Sequence, residues 1–392
     1  MDIPKALAYF KSASRMVTIS LPIGISQWGA YRRASIWCVS TSRMAGLVCN
    51  DQGLEFMLLN HSRYGQLFYG TLLARVSLAE FTTAIGNAMK IIRYLNALPF
   101  KACVAAIGNF DGIHLGHQTI LAAAKAFASQ QQLPCVVVTF EPQPSEFFNP
   151  TNAPARLTNF REKMTYFAHL GIDIVCCNRF NSEFANLTPQ QFIQEYFVKG
   201  LKIKALFVGE NFYFGKQRQG SILTLREFAS HYNFDLYSLP LESYQEEYIS
   251  STRIRSALKA AQFELVAALL GRVYRFTGRV SHGAKRGQYL GFPTANMRLH
   301  RLISPLQGVF AVRVHGLDKL YYGVANIGNR PTVDGTTWWI ETHILDFKQT
   351  IYGRLIHIEP LCQLRPEKKF ASIEMLVAQI HHDIAAARAF FA

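Results

Sequence analysis

Between about residues 103 and 270, short β-branched runs take turns with stretches that read as helix, and this alternation constrains the fold more than anything else in the chain. Residues 104–107, 136–140, 172–176, 205–208 and 234–239 read as strands. Between them, 115–128 is Ala-rich, Thr188-Pro189 sets an N-cap before a proline at the first helical position, and 221–229 is a further helix. Such βαβ units imply a mostly parallel sheet with helices on both faces and ligands beyond the carboxyl ends of the strands. After Leu270-Gly271 the rhythm changes to short alternating runs at 273–280, 308–314, 321–327, 338–347 and 355–361, broken by Gly-Asn-Arg-Pro and Asp-Gly turns. That pattern predicts a compact β-barrel. A closing helix over 372–390, with Ile373, Leu376, Val377, Ile380 and Ile384 at helical spacing, would cover it.

Composition sets outer limits. With 49% hydrophobic and 17% charged residues among 392, the chain buries enough apolar surface to order itself, which excludes a disordered protein. Every apolar run is interrupted before the ~18 residues that a membrane span requires, so no membrane association is expected. A net charge of +15 favours an anionic partner: nucleic acid, phospholipid or a polyphosphate nucleotide. Seven scattered cysteines without a CxxC pair indicate neither a zinc cluster nor a disulfide framework and fit a reducing cytoplasm. Cys135 and the Cys176-Cys177 pair read as small core residues. Residues 1–88 show no clear periodicity or motif; Lys5, Lys11 and Arg15 among serines faintly suggest targeting, but no apolar h-region accompanies them. The restart at Met89 suggests that the natural chain begins there. The expected division is therefore an unassigned extension (1–88), an α/β domain (89–270) and a β-domain (271–392).

The most informative stretch is Ile107-Gly108-Asn109-Phe110-Asp111-Gly112-Ile113-His114-Leu115-Gly116-His117, which follows a strand and opens a helix. Gly108 and Gly112 would let backbone approach a phosphate, the helix start offers unpaired N–H groups, and Gly116 would let a nucleotide pack on the first turn. His114 and His117 lie on one face, where both imidazoles can donate to phosphate oxygens. Helix capping or zinc binding is the bland alternative, and no further Cys, His or carboxylate ligand stands nearby. A second element, Ile249-Ser250-Ser251-Thr252-Arg253-Ile254-Arg255, begins another helix and reads as a second phosphate clamp, or else as an N-cap cluster with solvated arginines.

Together these elements resemble the HxGH and KMSKS-like motifs of nucleotidyltransferases, and their wording is similar to that of bacterial bifunctional riboflavin kinase/FAD synthetases. Phe140-Glu141-Pro142-Gln143-Pro144, Ala155-Arg156-Leu157-Thr158, Phe160-Arg161-Glu162-Lys163, Val208-Gly209-Glu210-Asn211-Phe212-Tyr213-Phe214-Gly215 and the Ile249 to Arg255 run follow the family's order. Gly287-Gln288-Tyr289-Leu290-Gly291-Phe292-Pro293-Thr294-Ala295-Asn296 resembles the flavokinase signature, preceded by the basic loop His282-Gly283-Ala284-Lys285-Arg286. Val324 to Thr332 resembles a loop near nucleotide and flavin.

The resemblance implies a Rossmann-like nucleotidyltransferase domain followed by a flavokinase-type β-barrel with a C-terminal helix, an α/β plus β architecture. It implies ATP, riboflavin, FMN and FAD as partners, in the cytoplasm and with no nucleic acid, and it sets no oligomeric state. His114 and His117 would be catalytic, with Gly108, Phe110, Asp111, Gly112, Asn211, Ser251, Thr252 and Arg253 around the nucleotide. In the β-domain Glu341 would be the general base. Gly287, Gly291, Pro293, Thr294 and Asn296 would meet the second nucleotide, Thr294 and Asn296 also holding Mg²⁺ through the hard oxygens it prefers. Three departures stand out: Tyr248 where relatives carry a basic residue, Asn329 in place of Thr, and Gln288-Tyr289 in place of Arg-Thr. A nucleotidyltransferase with another acceptor is disfavoured by the flavokinase-like β-domain, and a nucleic-acid platform by the dispersal of the positive charge.

Overall fold

The computed structural model describes residues 98–283, 286–299, 301–332 and 335–392, shorter pieces at 89–93 and 95, and the backbone of five strands before residue 77. The chain divides into two compact units, Met1–Ala88 and Met89–Ala392. In the first unit β1 (Met16–Val17), β2 (Ala34–Ser40), β3 (Arg43–Asn50), β4 (Gly53–His61) and β5 (Leu67–Val76) form an antiparallel sheet in chain order, an element that the sequence pattern did not announce. Lys5, Lys11 and Arg15 lie outside the described residues.

In the second unit, β6 (Lys90–Ile92), β7 (Cys103–Ile107), β8 (Cys135–Glu141), β9 (Ile174–Arg179), β10 (Ile203–Gly209) and β11 (Asp235–Leu239) build a parallel sheet ordered β11-β10-β7-β8-β9-β6. Alternate side chains feed opposite faces. Val104, Ala106 and Val137 pack against helices α1 (Leu115–Gln130) and, beyond α2 (Pro144–Phe148), α3 (Phe160–His169). Cys103, Ala105, Ile107 and Val138 pack against the helical segment 189–201 and α4 (Ile222–Tyr232). Both faces are thus covered, which is why these strands read as continuous apolar runs. The chain leaves β7 for β8 on one side and returns to β10 on the other, so the carboxyl ends of β7 and β10 flank a topological switch point, the usual ligand crevice of such sheets. Cys135 and Cys176 are buried free thiols, as expected, and burial pushes each to about 12.

A short hairpin, β12 (Ser243–Tyr244) and β13 (Glu247–Tyr248), leads to α5 (Ser251–Lys259) and α6 (Phe263–Leu270). Then β14 (Phe276–Ser281), β15 (Ala295–Arg298), β16 (Gly308–His315), β17 (Tyr321–Thr332), β18 (Gly335–Ile344) and β19 (Leu355–Arg365) close an antiparallel barrel in the order β14-β15-β18-β17-β16-β19. Ile254, Leu258, Val266 and Leu269 of α5 and α6 share one apolar core with Phe276, Phe310, Val312, Ile340 and Ile358 of the barrel. The Arg301–Glu162 ion pair, 2.6 Å long with both side chains buried, ties α3 to the barrel. The last helix, α7 (Ile373–Phe391), is capped by Ser372. It covers the barrel as expected, Ile384, Ala387 and Phe391 packing with Val309, Ala311 and Val324; only Ile373 of the expected face is exposed, and Arg365 of β19 anchors the helix through the buried Asp383.

Candidate active sites

The first site forms where β7 runs out. The loop from Gly108 to His114 holds Phe110, Gly112 and Ile113 at φ of 47°, 83° and 42°, a run that a β-branched residue enters only when its surroundings enforce it. Asp111 supplies one enforcement. Its buried carboxylate accepts the backbone N–H groups of Leu157 and Thr158 at 3.1 Å and pairs with Arg255 at 2.5 Å. The Ser251 hydroxyl donates to the Asp111 carbonyl at 2.9 Å, which joins the two sequence motifs directly.

His114 is the N-cap of α1; its Nδ1 accepts the His117 N–H at 3.3 Å, and the two rings stack 3.6 Å apart. Burial lowers the His114 imidazole to about 4, Asp111 opposing the shift while Arg272 and Arg255 add to it. Burial, then His114, Lys163 and Arg272, hold His117 well below the ordinary range as well. Both rings are therefore neutral at pH 7, and with its Nδ1 engaged as an acceptor His114 carries its proton on Nε2. The His117 Nδ1 is buried without a hydrogen-bond partner, which in a fold where such atoms are nearly always paired marks a group available to a ligand.

Several expected contacts are redirected. The space beside Gly108 is taken by the Phe110 ring and that beside Gly112 by Leu157, where an added Cβ would meet Cδ1 at 2.8 Å, so these glycines let neighbouring side chains pack against the loop. Gly116 likewise faces His114 and Glu242. Phe110 is buried edge-on beneath His117, and the Asp111 carboxylate faces protein donors; both hold the loop. Arg253 donates to the carbonyls of Tyr244 and Glu247 and pairs with the Glu247 carboxylate at 2.9 Å, so it secures the β12–β13 hairpin. Thr252 and, at the end of β10, Asn211 are exposed; Tyr248 is exposed on the hairpin. Lys163, fully buried on α3, donates to the Asn109 carbonyl at 2.8 Å, and burial lowers its pKa. Its motif was visible in the sequence, but nothing there tied it to a loop 54 residues away.

The second site lies between the barrel and α7, in a cavity of about 570 Å³. Asn296 on β15 stands opposite Glu341 on β18, which stands opposite Asn326 on β17, so register alone sets three polar residues in a row. The Asn296 amide donates to the Thr294 carbonyl at 3.1 Å and hydroxyl at 3.3 Å. Arg330 forms an ion pair with Glu341. The signature loop is tightly closed: Phe292 N–H donates to the Gly287 carbonyl at 2.7 Å, where a Cβ on Gly287 would strike the Phe292 carbonyl, and Gly291 sits at φ 88°. The His343 Nδ1–H donates to the Pro293 carbonyl at 3.0 Å and pins the loop to β18. Leu376, Ile380 and Ile384 of α7 line the apolar side. No cluster of three or more His, Cys, Asp or Glu suited to a metal occurs among the described residues. The Thr294 hydroxyl and Asn296 amide oxygen are hard donors that suit Mg²⁺, which keeps most of its shell as water and phosphate. Ala284 and Lys285 of the basic loop lie outside the described residues, and Tyr289 is exposed.

A family model for FAD synthetase matches residues 98–253 and one for riboflavin kinase matches 270–391. A bifunctional riboflavin kinase/FMN adenylyltransferase of Escherichia coli K12 is 45% identical over 307 residues, covering 77% of this chain and 98% of the relative. The chain belongs to the bifunctional riboflavin kinase/FMN adenylyltransferase family. The Haemophilus influenzae member is 41% identical over 306 residues, with 77% and 99% of the two chains covered. Among solved structures, a crystal structure described as a macrolide-efflux protein from Streptococcus pneumoniae superposes with a TM-score of 0.63 at 30% identity, covering 77% of this family member and 99% of that chain. No helix among the described residues of the present chain is long and apolar enough to cross a membrane.

Proposed function

We propose that the chain makes FAD in two ATP-dependent steps, phosphorylating riboflavin to FMN in the barrel and adenylylating FMN at the histidine loop of the α/β sheet. The observation that carries this reading is that one chain holds two polar sites of different build, a base-bearing barrel cavity and a helix-start histidine pair.

In the first step Glu341 takes the proton of the ribityl 5′-hydroxyl, whose oxygen attacks the γ-phosphorus of ATP as the bond to the β-phosphate oxygen breaks and ADP leaves. Arg330 is ion-paired with this carboxylate. Mg²⁺ bound with ATP through Thr294 and Asn296 would neutralise charge on the phosphates. In the second step an FMN phosphate oxygen attacks the α-phosphorus of ATP and the bond to the bridging oxygen breaks, releasing pyrophosphate; no covalent enzyme intermediate is needed. Neutral His114, donating from Nε2, and His117 place preorganised donors at the phosphates, beside Ser251, Thr252 and the N-terminus of α5. Positioning and charge stabilisation do the work.

The substrates are small molecules, and the reaction fits a cytoplasmic setting. The test is to incubate the purified protein with riboflavin, ATP and Mg²⁺ and to separate the products: FMN followed by FAD and pyrophosphate is expected, and recovery of unchanged riboflavin overturns the proposal.

A further inference from the structure

The histidine loop is gripped from a place the first site does not include. Helix α6 ends at Gly271, whose φ of 67° turns the chain sharply against α1: a Cβ there would lie 2.6 Å from Leu115 Cδ2. That turn sends Arg272 back under the loop. Its Nη1 donates to the Ile113 carbonyl at 2.9 Å and to Leu270 at 3.1 Å, and its Nη2 donates to the Gly112 carbonyl. The guanidinium lies 3.8 Å from the centre of the Tyr166 ring, which backs it from α3. Gln118 on α1 reinforces the clasp, its amide donating to Ile113 at 2.9 Å and Leu270 at 2.8 Å.

The two carbonyls that Arg272 holds belong to Gly112 and Ile113, the two consecutive positive-φ residues immediately before His114. Ile113 is buried, so without Arg272 its carbonyl and that of Gly112 would lose charge-assisted partners in a region closed to water. A β-branched residue at φ 42° relaxes when its surroundings stop enforcing the conformation, and the relaxation would rotate the cap on which both imidazoles are mounted. A planar fork of rigidly spaced donors matches two successive carbonyls, whereas an ammonium is a compact point charge on a flexible stem that holds their relative orientation less firmly. Arg272 lies within the segment matched by the riboflavin kinase model, beyond the end of the FAD synthetase match.

We propose that Arg272 is a positioning residue for adenylyl transfer, a guanidinium supplied by the kinase-family segment that holds the Gly112–Ile113 turn and so fixes His114 and His117. The proposal rests on the adenylyl-transfer reading of that loop. A positioning role predicts a loss in turnover and not in substrate binding, whereas a merely structural role would depress both activities together.

The test uses the full chain carrying Arg272→Ala or Arg272→Lys, with FAD formation from FMN and FMN formation from riboflavin assayed separately. For Arg272→Ala, kcat of FAD formation is expected to fall about 10²-fold, the scale set by misplacing a catalytic group by about 1 Å. KM for ATP and FMN should stay within roughly threefold of the parent and kinase turnover should be retained, since only transition-state alignment is removed. Arg272→Lys should lose less, because an ammonium still supplies charged donors to the turn without the fixed fork. If the alanine variant fails to fold, the lysine variant decides: reduced kcat at unchanged KM supports the role, and parental kcat overturns it. A rise in KM alone, or equal loss of both activities, also overturns it. His117→Ala run in parallel separates the two levels. If it abolishes FAD formation while Arg272→Ala does not, only the positioning role fails; if it leaves FAD formation intact, the reading of the loop itself fails.

Discussion

Replacing Asp111 by Asn keeps the shape of the side chain and removes one charge, which isolates what that carboxylate contributes. The group accepts two backbone N–H groups at 3.1 Å, the Thr158 hydroxyl at 3.3 Å and the Arg255 guanidinium at 2.5 Å, while 3% exposed. Asparagine retains one acceptor oxygen and turns an NH₂ toward groups that are themselves donors. Removing one partner of a buried ion pair costs about 3–5 kcal/mol. The lower end is expected here, because the Arg255 side chain is 20% exposed and keeps its bond to the Ala155 carbonyl at 2.6 Å. The measurement is urea unfolding followed by circular dichroism for Asp111→Asn, Arg255→Met and the double variant. A destabilisation of about 3 kcal/mol for Asp111→Asn and a coupling of about 1–3 kcal/mol between the two sites are expected. FAD formation should fall in step, because the loop that carries His114 loses its tie to Leu157 and Thr158. A loss under about 1 kcal/mol with FAD formation intact would refute the argument, and would return Asp111 to the role of a ligand-facing carboxylate.

Other predictions follow from the same geometry. His117→Ala should slow FAD formation about 10²- to 10³-fold, the usual effect of deleting one preorganised donor, and leave FMN formation near normal; matched losses in separate assays would contradict the division of labour. Glu341→Ala should stop riboflavin phosphorylation while sparing adenylylation of supplied FMN, measured by chromatography of each product; surviving FMN production would place the base elsewhere. With its folded pKa near 4 against an ordinary 6.5, His114 takes up its proton more readily in the unfolded chain, and His117 is shifted the same way. Their contribution to stability is therefore complete above pH 6.5 and lost as pH falls toward 4. Melting temperatures measured across that window should drop with acid, less steeply in His114→Asn, and an unchanged slope would argue against the neutral pair.

The two architectures were legible because each imposes its own period: continuous apolar strands where both sheet faces are covered, alternating ones around the barrel. What escaped was short or depended on distant contacts. Ala295–Arg298 is a barrel strand, yet the preceding Gly-Phe-Pro-Thr reads as a turn and four residues carry little pattern. The strand expected from residue 172 begins at Ile174, just after Asp173, whose carboxylate bonds Lys125 and the Cys135 N–H, each at 2.8 Å. In the Ser250–Arg255 run both arginines were visible but not their assignments. Positions i and i+2 of a helix do not share a face, so Arg253 meets the hairpin and Arg255 meets Asp111. Glycines 108 and 112 stand out in the sequence, but sequence does not tell whether the space they leave admits a ligand or a neighbouring phenyl or isobutyl group. Lys163 and Arg272 act across 54 and 159 positions of chain, a range over which local pattern is silent.

The apolar core that runs unbroken from Ile254, Leu258, Val266 and Leu269 into Phe276, Phe310 and Ile358 is crossed by the chain at residue 270, so a cut there would pass through its middle. A gene split near residue 270 would strip a wet, greasy face onto each product, and the synthetase fragment would also leave behind the arginine that shapes its own histidine turn. Fusion in such a molecule is more than a convenience of co-expression: the helices that end the first half form part of the barrel's interior.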